Sequence, residues 1–186
     1  MSSLEEWLST GDLRSDGAAN EVAALVLQNP DMIDDLIDVL RAADNHVRGH
    51  AADALEKVAR SSPKSLLVHI DKVITLVLHD EIAMVRWHLA MILGYFSFDN
   101  TQIDKITRTL IRLLNDKSVF VRSWSIVSLC IIARKYPQRC NEILSEVVKL
   151  KHNKSIAIRT KVRQAVELLT DSGRPFPKGW DKSNCL

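Results

Sequence analysis

The stretch "LVLHDEIAMVRWHLAMIL" (residues 76–93) decides the fold, because altered copies of it recur along the chain. The copies are "LRAADNHVRGHAADAL" (40–55), "LLNDKSVFVRSWSIVSL" (113–129) and "LKHNKSIAIRTKVRQAV" (150–166). Each copy carries an arginine, which is preceded by an aliphatic residue and followed by another seven positions later. The arginines lie 38, 36 and 37 residues apart and are Arg48, Arg86, Arg122 and Arg159. A period near 37 residues is typical of helical hairpins stacked into an array.

Each period holds two predicted helices, and one more helix precedes the first period. Start signals support this assignment, since Asn29-Pro30 and Ser62-Pro63 each pair a capping side chain with proline at the first helical position. The additional helix at 18–29 has the character of the second half of a degenerate unit. The first helices of the four units are predicted at 31–43, 63–79, 101–115 and 138–151, and the second helices at 46–60, 83–97, 119–135 and 156–170.

These repeated residues resemble the HEAT family of helical-hairpin repeats. The matching positions are Leu78, Asp80, Val85, Arg86 and Leu93 in one unit and Leu114, Asp116, Val121, Arg122 and Leu129 in the next. The first unit has Ala42, and the fourth has Asn153, where these two have aspartate. The resemblance covers about residues 18–170 and implies an all-α, right-handed α-solenoid of about four HEAT-like hairpins plus an N-terminal half repeat. An armadillo-like array, from the same superfamily, stays open as the alternative.

The resemblance also implies a structural role for the repeated arginine. It would pair with the aspartate of the preceding loop and tie successive units into a ladder. The pairs Asp80 with Arg86, and Asp116 with Arg122, fit that role as charge-assisted hydrogen bonds in partly buried surroundings. We therefore expect these four residues to stabilise the array and not to bind a ligand.

The two ends of the chain fall outside the repeats. Residues 1–17 are expected to form an N-terminal cap or a flexible segment, residues 18–170 the repeat domain, and residues 171–186 a non-helical cap or tail. Phe176 and Trp180 can fold back to cover the unstacked last unit. The alternative is a flexible arm whose basic residues are Arg174, Lys178 and Lys182.

The second helices of the two central units, at 83–97 and 119–135, are apolar on almost every face. In a solenoid such a helix packs on its hairpin partner and on the units before and after it, so it keeps no solvent face. By analogy with HEAT arrays, the second helices should line the concave surface. Helical spacing directs positions one, two, five and nine after each arginine toward that surface.

These positions predict a strip of aromatic and apolar side chains on the concave surface. The strip consists of Trp87, His88, Met91, Tyr95, Trp124, Val127 and Ile131, with Ser123 beside them. Its polar flanks are those of a surface that binds an amphipathic helix or an extended peptide. The sequence thus predicts a non-catalytic scaffold or adaptor that binds another protein through its concave inner-helix face. Strong curvature could close the groove instead, so that the strip packs as core. Both interpretations stay open.

Charge separates along the chain. Residues 1–93 carry 15 acidic and 8 basic side chains, net −7, whereas residues 94–186 carry 8 acidic and 17 basic side chains, net +9. Opposite ends of an elongated array attract each other, which predicts head-to-tail self-association. The basic half also supports an alternative function, nucleic-acid binding through Arg134, Lys161 and Arg163, although the acidic half would repel a long polyanion.

No motif for catalysis or cofactor binding occurs in the sequence. It lacks GxSxG, Walker and GxGxxG patterns, and His46 and His50 lie four residues apart without the glutamate of HExxH. The three cysteines have no metal-ligand spacing. We therefore expect no enzyme activity, no cofactor and no metal site. The chain has no leader-like start and no apolar run long enough to span a membrane, which predicts a cytoplasmic protein without membrane contact.

Overall fold

The computed structural model describes residues 3–11, 15 and 17–183, and all regular structure in this part of the chain is helical. The ten α-helices of this part are α1 (Ser3–Leu8), α2 (Ala19–Gln28), α3 (Ile33–Val39), α4 (Asn45–Ser61), α5 (Ile70–His79), α6 (Ala83–Tyr95), α7 (Ile103–Leu113), α8 (Val119–Lys135), α9 (Cys140–Val148) and α10 (Ile156–Thr170). The nine predicted helices are confirmed, and α1 is an addition to them. The first helices of the four units, α3, α5, α7 and α9, are called the outer helices from here on. Three of them, α3, α5 and α9, are preceded by 3₁₀ turns, at Pro30–Met32, Pro63–His69 and Pro137–Arg139. Each turn starts at a proline, whose missing N–H is tolerated at a helix start.

The helices form four hairpins and a half unit. The pairs α3 with α4, α5 with α6, α7 with α8, and α9 with α10 each pack as one hairpin. The second helices α4, α6, α8 and α10, called the inner helices from here on, stack on one another in chain order, and α2 packs on α4. The predicted α-solenoid of four hairpins plus an N-terminal half repeat is confirmed.

The nearly all-apolar helix α8 is buried because it lies between α6 and α10 and against α7. The approach of α6 to α8 is close enough to require a glycine. A Cβ atom on Gly94 would lie 2.6 Å from Ser128 Oγ and 3.0 Å from Ser128 Cα. The Ser128 hydroxyl also donates a 2.8 Å hydrogen bond to the carbonyl oxygen of Ala90, so the contact joins the two central units directly.

The first helix closes the N-terminal end of the stack. Leu4 and Leu8 of α1 are buried, and α1 packs against α2, α3 and α4. The ring of His50 on α4 holds this segment, because its nitrogens lie 2.9 Å from the Leu8 carbonyl oxygen and 3.1 Å from that of Ser15. Residues 1, 2, 12–14 and 16 of the segment predicted at 1–17 lie outside the described residues.

The arginine ladder is present, but its pairs differ from the predicted ones. Arg86 donates hydrogen bonds of 2.8 and 3.0 Å to the carboxylate of Asp116, in the next unit along the chain. Arg48 lies 3.5 Å from the Asp80 carboxylate in the same way. The prediction that Asp80 pairs with Arg86, and Asp116 with Arg122, is therefore wrong, although the role in joining successive units is correct.

The geometry of the loop explains the shift by one unit. Oδ1 of Asp80 accepts a 2.7 Å hydrogen bond from the backbone N–H of Ile82, and this bond fixes the carboxylate at the start of its own inner helix. The arginine of the preceding unit reaches the carboxylate there. Arg86 instead donates a 2.8 Å hydrogen bond to the backbone carbonyl of Asp80. The Asp80 loop is thus bound by two arginines, by Arg48 through its carboxylate and by Arg86 through its backbone.

The ladder does not continue into the fourth unit. Arg122 Nε is buried without a hydrogen-bond partner among the described residues, and the fourth unit has Asn153 in place of aspartate. The pair of Arg86 with Asp116 stabilises the ionised form of the Asp116 carboxyl. Burial acts to raise the pKa of this carboxyl, but hydrogen bonds from Arg86 and the Ser118 N–H, with the Arg86 charge, hold its pKa below its usual value.

Candidate functional site

Most of the predicted partner-binding strip is buried. Five of its side chains are at most 4% exposed, namely His88, Met91, Tyr95, Val127 and Ile131. Of the two interpretations left open by the sequence, packing as core holds for these five residues, and an exposed binding surface does not. They pack between neighbouring inner helices, or, as His88 does, turn toward polar groups of the adjacent helix. Trp87 and Trp124 are half-buried, so they alone of the predicted strip retain accessible surface.

The accessible part of this face is a row of three aromatic rings. Trp87 lies 6.4 Å from Trp124 and 6.1 Å from Phe120, measured between ring centroids. Trp87 is also stacked on the ring of His88, at 3.6 Å. Phe120 is 65% exposed in the first turn of α8 and is not one of the residues predicted from the sequence. The repeat period gave no signal for it, since it lies two residues before the arginine of its unit.

The C-terminal strap, residues 171–183, crosses this face. Its beginning is fixed by Arg134 of α8, which donates hydrogen bonds to four backbone carbonyl oxygens. These belong to Leu168 (3.3 Å), Asp171 (3.4 Å), Ser172 (2.7 Å) and Arg174 (2.9 Å). The guanidinium carbon of Arg134 lies 5.6 Å from the centroid of the Phe176 ring. One arginine therefore sets the direction in which the strap leaves α10.

The far end of the strap reaches the first unit. Trp180 is 2% exposed, with the Lys161 ammonium 4.6 Å from its ring centroid. The Lys182 ammonium lies 4.6 Å from the ring centroid of Trp124. The Ser183 hydroxyl donates a 3.0 Å hydrogen bond to the backbone carbonyl of Arg60, near the end of α4. An extended segment of this length spans up to about 40 Å, enough for the three helix-to-helix steps of about 8–10 Å between α10 and α4.

Two carboxylates of α4 lie at the place where the strap ends. Asp53 is 3.0 Å from the Lys57 ammonium and 3.4 Å from Nε2 of His88. Burial raises the pKa of Asp53, but the His88 and Lys57 contacts outweigh it and hold the pKa below its ordinary value. Asp53 is therefore a carboxylate over the whole neutral range.

The second carboxylate, Glu56, belongs to a buried hydrogen-bond network. It accepts hydrogen bonds from the Tyr95 hydroxyl and from the Arg60 guanidinium. Burial, and next the Glu56 charge, raise the pKa of Tyr95 far above its usual value. Burial lowers the pKa of Lys182, while the Glu56 charge acts in the opposite direction. The strap thus brings a partly desolvated cation into the field of the two α4 carboxylates.

The predicted nucleic-acid contacts do not form one basic edge. Arg134 is engaged with the carbonyl groups at the start of the strap, and Lys161 is half-buried over Trp180. Burial lowers the pKa of Lys161. Arg163 is exposed. Two of the three cations are therefore used to hold the strap, which leaves little support for phosphate binding at this set of residues.

The described residues show no cluster of side chains suited to metal binding or thiol chemistry. Within them no three histidine, cysteine or acidic side chains are grouped so that they could hold a metal ion. Burial raises the pKa of the Cys130 thiol, so it stays protonated at neutral pH. No helix in the described part of the chain has both the length and the apolar character to cross a membrane.

No family model matches the chain, and no curated protein matches it either. Several solved structures match the chain. A set of computationally designed armadillo repeat proteins for modular peptide recognition matches with a TM-score of 0.63 and 18% identity, over 88% of this chain and 79% of that chain. An engineered protein matches with a TM-score of 0.59 and 19% identity, over 91% of this chain and 79% of that chain. A designed armadillo repeat protein in complex with the peptide (KR)4 matches with a TM-score of 0.59 and 18% identity, over 89% and 80%. The chain therefore has an armadillo/HEAT-like repeat fold.

Proposed function

We propose that the protein is a non-catalytic scaffold that binds an extended segment of another protein on the concave face of its inner helices. The observation that carries the proposal is the C-terminal strap. It is a non-helical segment, and it lies across the inner helices from α10 to α4. The face therefore accommodates a non-helical polypeptide segment.

The side chains of the face are of the kind that dominate binding energy. Tryptophan and other large aromatic residues are enriched among the residues that carry most of the affinity of protein interfaces. Trp87, Trp124 and Phe120 form such a group, and Phe120 is exposed. The inner helices below them are closely packed, so the rings are presented from a rigid support and little order is lost on binding.

The structural neighbours support a protein or peptide partner in general terms. One of them was designed for peptide recognition, and another was determined with a bound peptide. At 18% identity these matches establish the fold and do not transfer a ligand to this chain. The proposal for this chain rests on its own strap and its own aromatic row.

A peptide-display experiment tests the proposal. Random peptides of about ten residues are selected on the intact chain, and the affinity of the bound peptides is then measured on a double variant and on a control variant. We expect the double variant, Trp87→Ala combined with Phe120→Ala, to reduce binding at least tenfold, because both rings lie on the concave face. The control is Val68→Ala, since Val68 is an exposed apolar residue in the 3₁₀ turn before the outer helix α5. Selected peptides that bind both variants equally well would contradict the proposal.

A further inference from the structure

We propose that the C-terminal strap is a built-in ligand, and that the partner is a non-helical segment with a tryptophan two residues before a lysine, which displaces the strap. This inference rests on the proposed function and names the chemistry of its partner. It follows from three features of the strap: how its lysine is bound, how its tryptophan is bound, and how its attachment differs between its two ends.

The lysine of the strap lies over an aromatic ring. Its ammonium is 4.6 Å from the ring centroid of Trp124, and tryptophan is the ring that attracts cations most strongly. Glu56 and Asp53 attract the same ammonium, but burial and the Arg60 charge outweigh them and hold the pKa of Lys182 below its usual value. The contact with the Trp124 ring therefore carries the preference for lysine, because a neutral aliphatic side chain would lose it.

The tryptophan of the strap supplies the apolar part of the contact. Trp180 is almost fully buried, whereas its neighbour Asp181 is exposed and Lys182 is half-buried. The Trp180 N–H donates a 3.0 Å hydrogen bond to the Pro177 carbonyl oxygen, so a turn with Gly179 at positive φ precedes the tryptophan. After this turn, Trp180, Lys182 and the buried Ser183 lie on the face, and Asp181 lies in solvent.

The strap is attached unequally along its length. Its beginning follows α10 directly and accepts several hydrogen bonds from Arg134. The tip contacts the face through the buried Trp180 ring, the Lys182 ammonium and the Ser183 hydroxyl and, among the described residues, through no hydrogen bonds from Arg134. The tip can therefore leave while the beginning stays in place. Phe120 is exposed on the same aromatic row, so an incoming segment can contact the row before the strap has left.

Occupancy by the strap should weaken the binding of any competitor. A tethered segment has an effective concentration of about 1 mM or more at its site. The apparent dissociation constant of a competing peptide is the intrinsic one divided by the fraction of chains whose face is open. A substitution that releases the strap should therefore tighten the binding of an added peptide.

The test uses the full chain and a fluorescent peptide with the sequence of residues 175–183, "PFPKGWDKS". We expect the peptide to bind the Trp180→Ala chain at least tenfold more tightly than the wild-type chain. The second strap variant, Lys182→Ala, should give a smaller gain in the same direction and carries the test if Trp180→Ala lowers the helical circular dichroism signal. The matched control is Lys178→Ala, an exposed lysine on the same strap, whose affinity for the peptide should equal that of the wild type.

The peptide itself provides the second control. Lysine to alanine at the position of Lys182 should reduce binding to the Trp180→Ala chain at least fivefold, whereas the same change at the position of Lys178 should not. Equal binding of the peptide to wild-type and strap-variant chains would overturn the inference, since the strap would then not compete. A wild-type chain that forms dimers by exchanging straps would also overturn it, because a second copy would replace the separate partner.

Failure of this inference can be told apart from failure of the proposed function. If the strap peptide binds no chain while displayed peptides still bind through Trp87 and Phe120, the scaffold function stands and the assignment of the strap as a ligand is wrong. If neither class of peptide binds, both proposals are contradicted.

Discussion

The two ends of the solenoid are closed in different ways. At the N-terminal end, α1 packs on the nearest unit through Leu4 and Leu8, and arginine–aspartate pairs join the first units. At the C-terminal end the ladder has stopped at Arg122, and the segment after α10 does more than cover its own unit. It returns across the face to α4.

This difference separates a cap from a strap. A cap has to hide only the unstacked side of the last unit, and α1 does so at its own end. The contacts of Phe176 with Arg134 would suffice for the same purpose at the other end. The positions of Lys182 and Ser183 are not explained by capping, because they lie on earlier units. The N-terminal segment therefore only covers the end of the stack, whereas the C-terminal strap also covers part of the concave face.

The largest expected effect concerns the ladder that the N-terminal half has and the C-terminal end lacks. Arg86→Met should lower the free energy of unfolding by about 3–5 kcal/mol, because it leaves the Asp116 carboxylate without its cation. Arg122→Met should be near neutral, since it removes a guanidinium whose buried Nε has no hydrogen-bond partner in the described part of the chain. Urea denaturation of both variants measures the difference. Equal losses would show that the ladder does not stop at the third unit.

The next effect tests the N-terminal cap. Leu8→Ala should lower the free energy of unfolding by about 2–5 kcal/mol, as for other fully buried leucines. Glu6→Ala, at an exposed position on the same helix, should change it by no more than about 0.5 kcal/mol. Thermal unfolding followed by circular dichroism should remain a single transition. A separate early transition for Leu8→Ala would mean that α1 is not part of the cooperative core.

A smaller loss is expected from the strap. Trp180→Ala should cost about 0.5–3 kcal/mol, less than Leu8→Ala, because a released strap leaves the stacked helices intact. Hydrogen exchange gives the sharper readout. The Trp180 amide, which donates a 3.0 Å hydrogen bond to the Pro177 carbonyl oxygen, should lose its protection, while the amides of α8 and α10 keep theirs. If α10 lost protection together with the strap, the C-terminal segment would be a cap after all.

The smallest effect concerns acid. The pKa of Asp116 is below its ordinary value in the folded chain, so its contribution to stability is complete above the unfolded value of 3.8 and is lost as the pH falls through the folded value. Asp116→Asn should therefore be less stable at neutral pH and should show a weaker decrease of stability between pH 5 and pH 2 than the wild type. Urea midpoints across that range measure it. Parallel pH profiles for the two chains would contradict the role of this pair.

The sequence predicted the helices well because the repeat period constrains them. An arginine every 36–38 residues, with flanking aliphatic positions, aligned eight helices, and proline marked several of their starts. Helix α1 carries no such signal, since it precedes the first period. The ladder was predicted in the wrong register because Asp80 is six residues from Arg86, whereas the true partner Asp116 is 30 residues away. Closeness in the sequence therefore did not identify the pairing partner, because stacked units bring residues of neighbouring repeats together.

The candidate site was harder to predict because its main feature is a long-range contact. Ser183 and Arg60 are 123 residues apart, and no repeat relates them. Helical spacing correctly placed Trp87 and Trp124 at accessible positions. It did not show that Met91 and Tyr95 lie deeper, because burial between inner helices depends on how closely the units approach. That approach is set by contacts such as Gly94 with Ser128, which periodicity does not reveal.

The most direct test of the account is an NMR measurement on the intact chain in solution. If the strap occupies the concave face, nuclear Overhauser effects should connect the terminal methylene protons of Lys182 with the indole ring of Trp124, and those of Lys161 with the ring of Trp180. The amides of residues 180–183 should then relax like those of α8. Absence of both sets of effects, together with the fast relaxation of a free tail, would contradict the claim that the chain carries its own ligand.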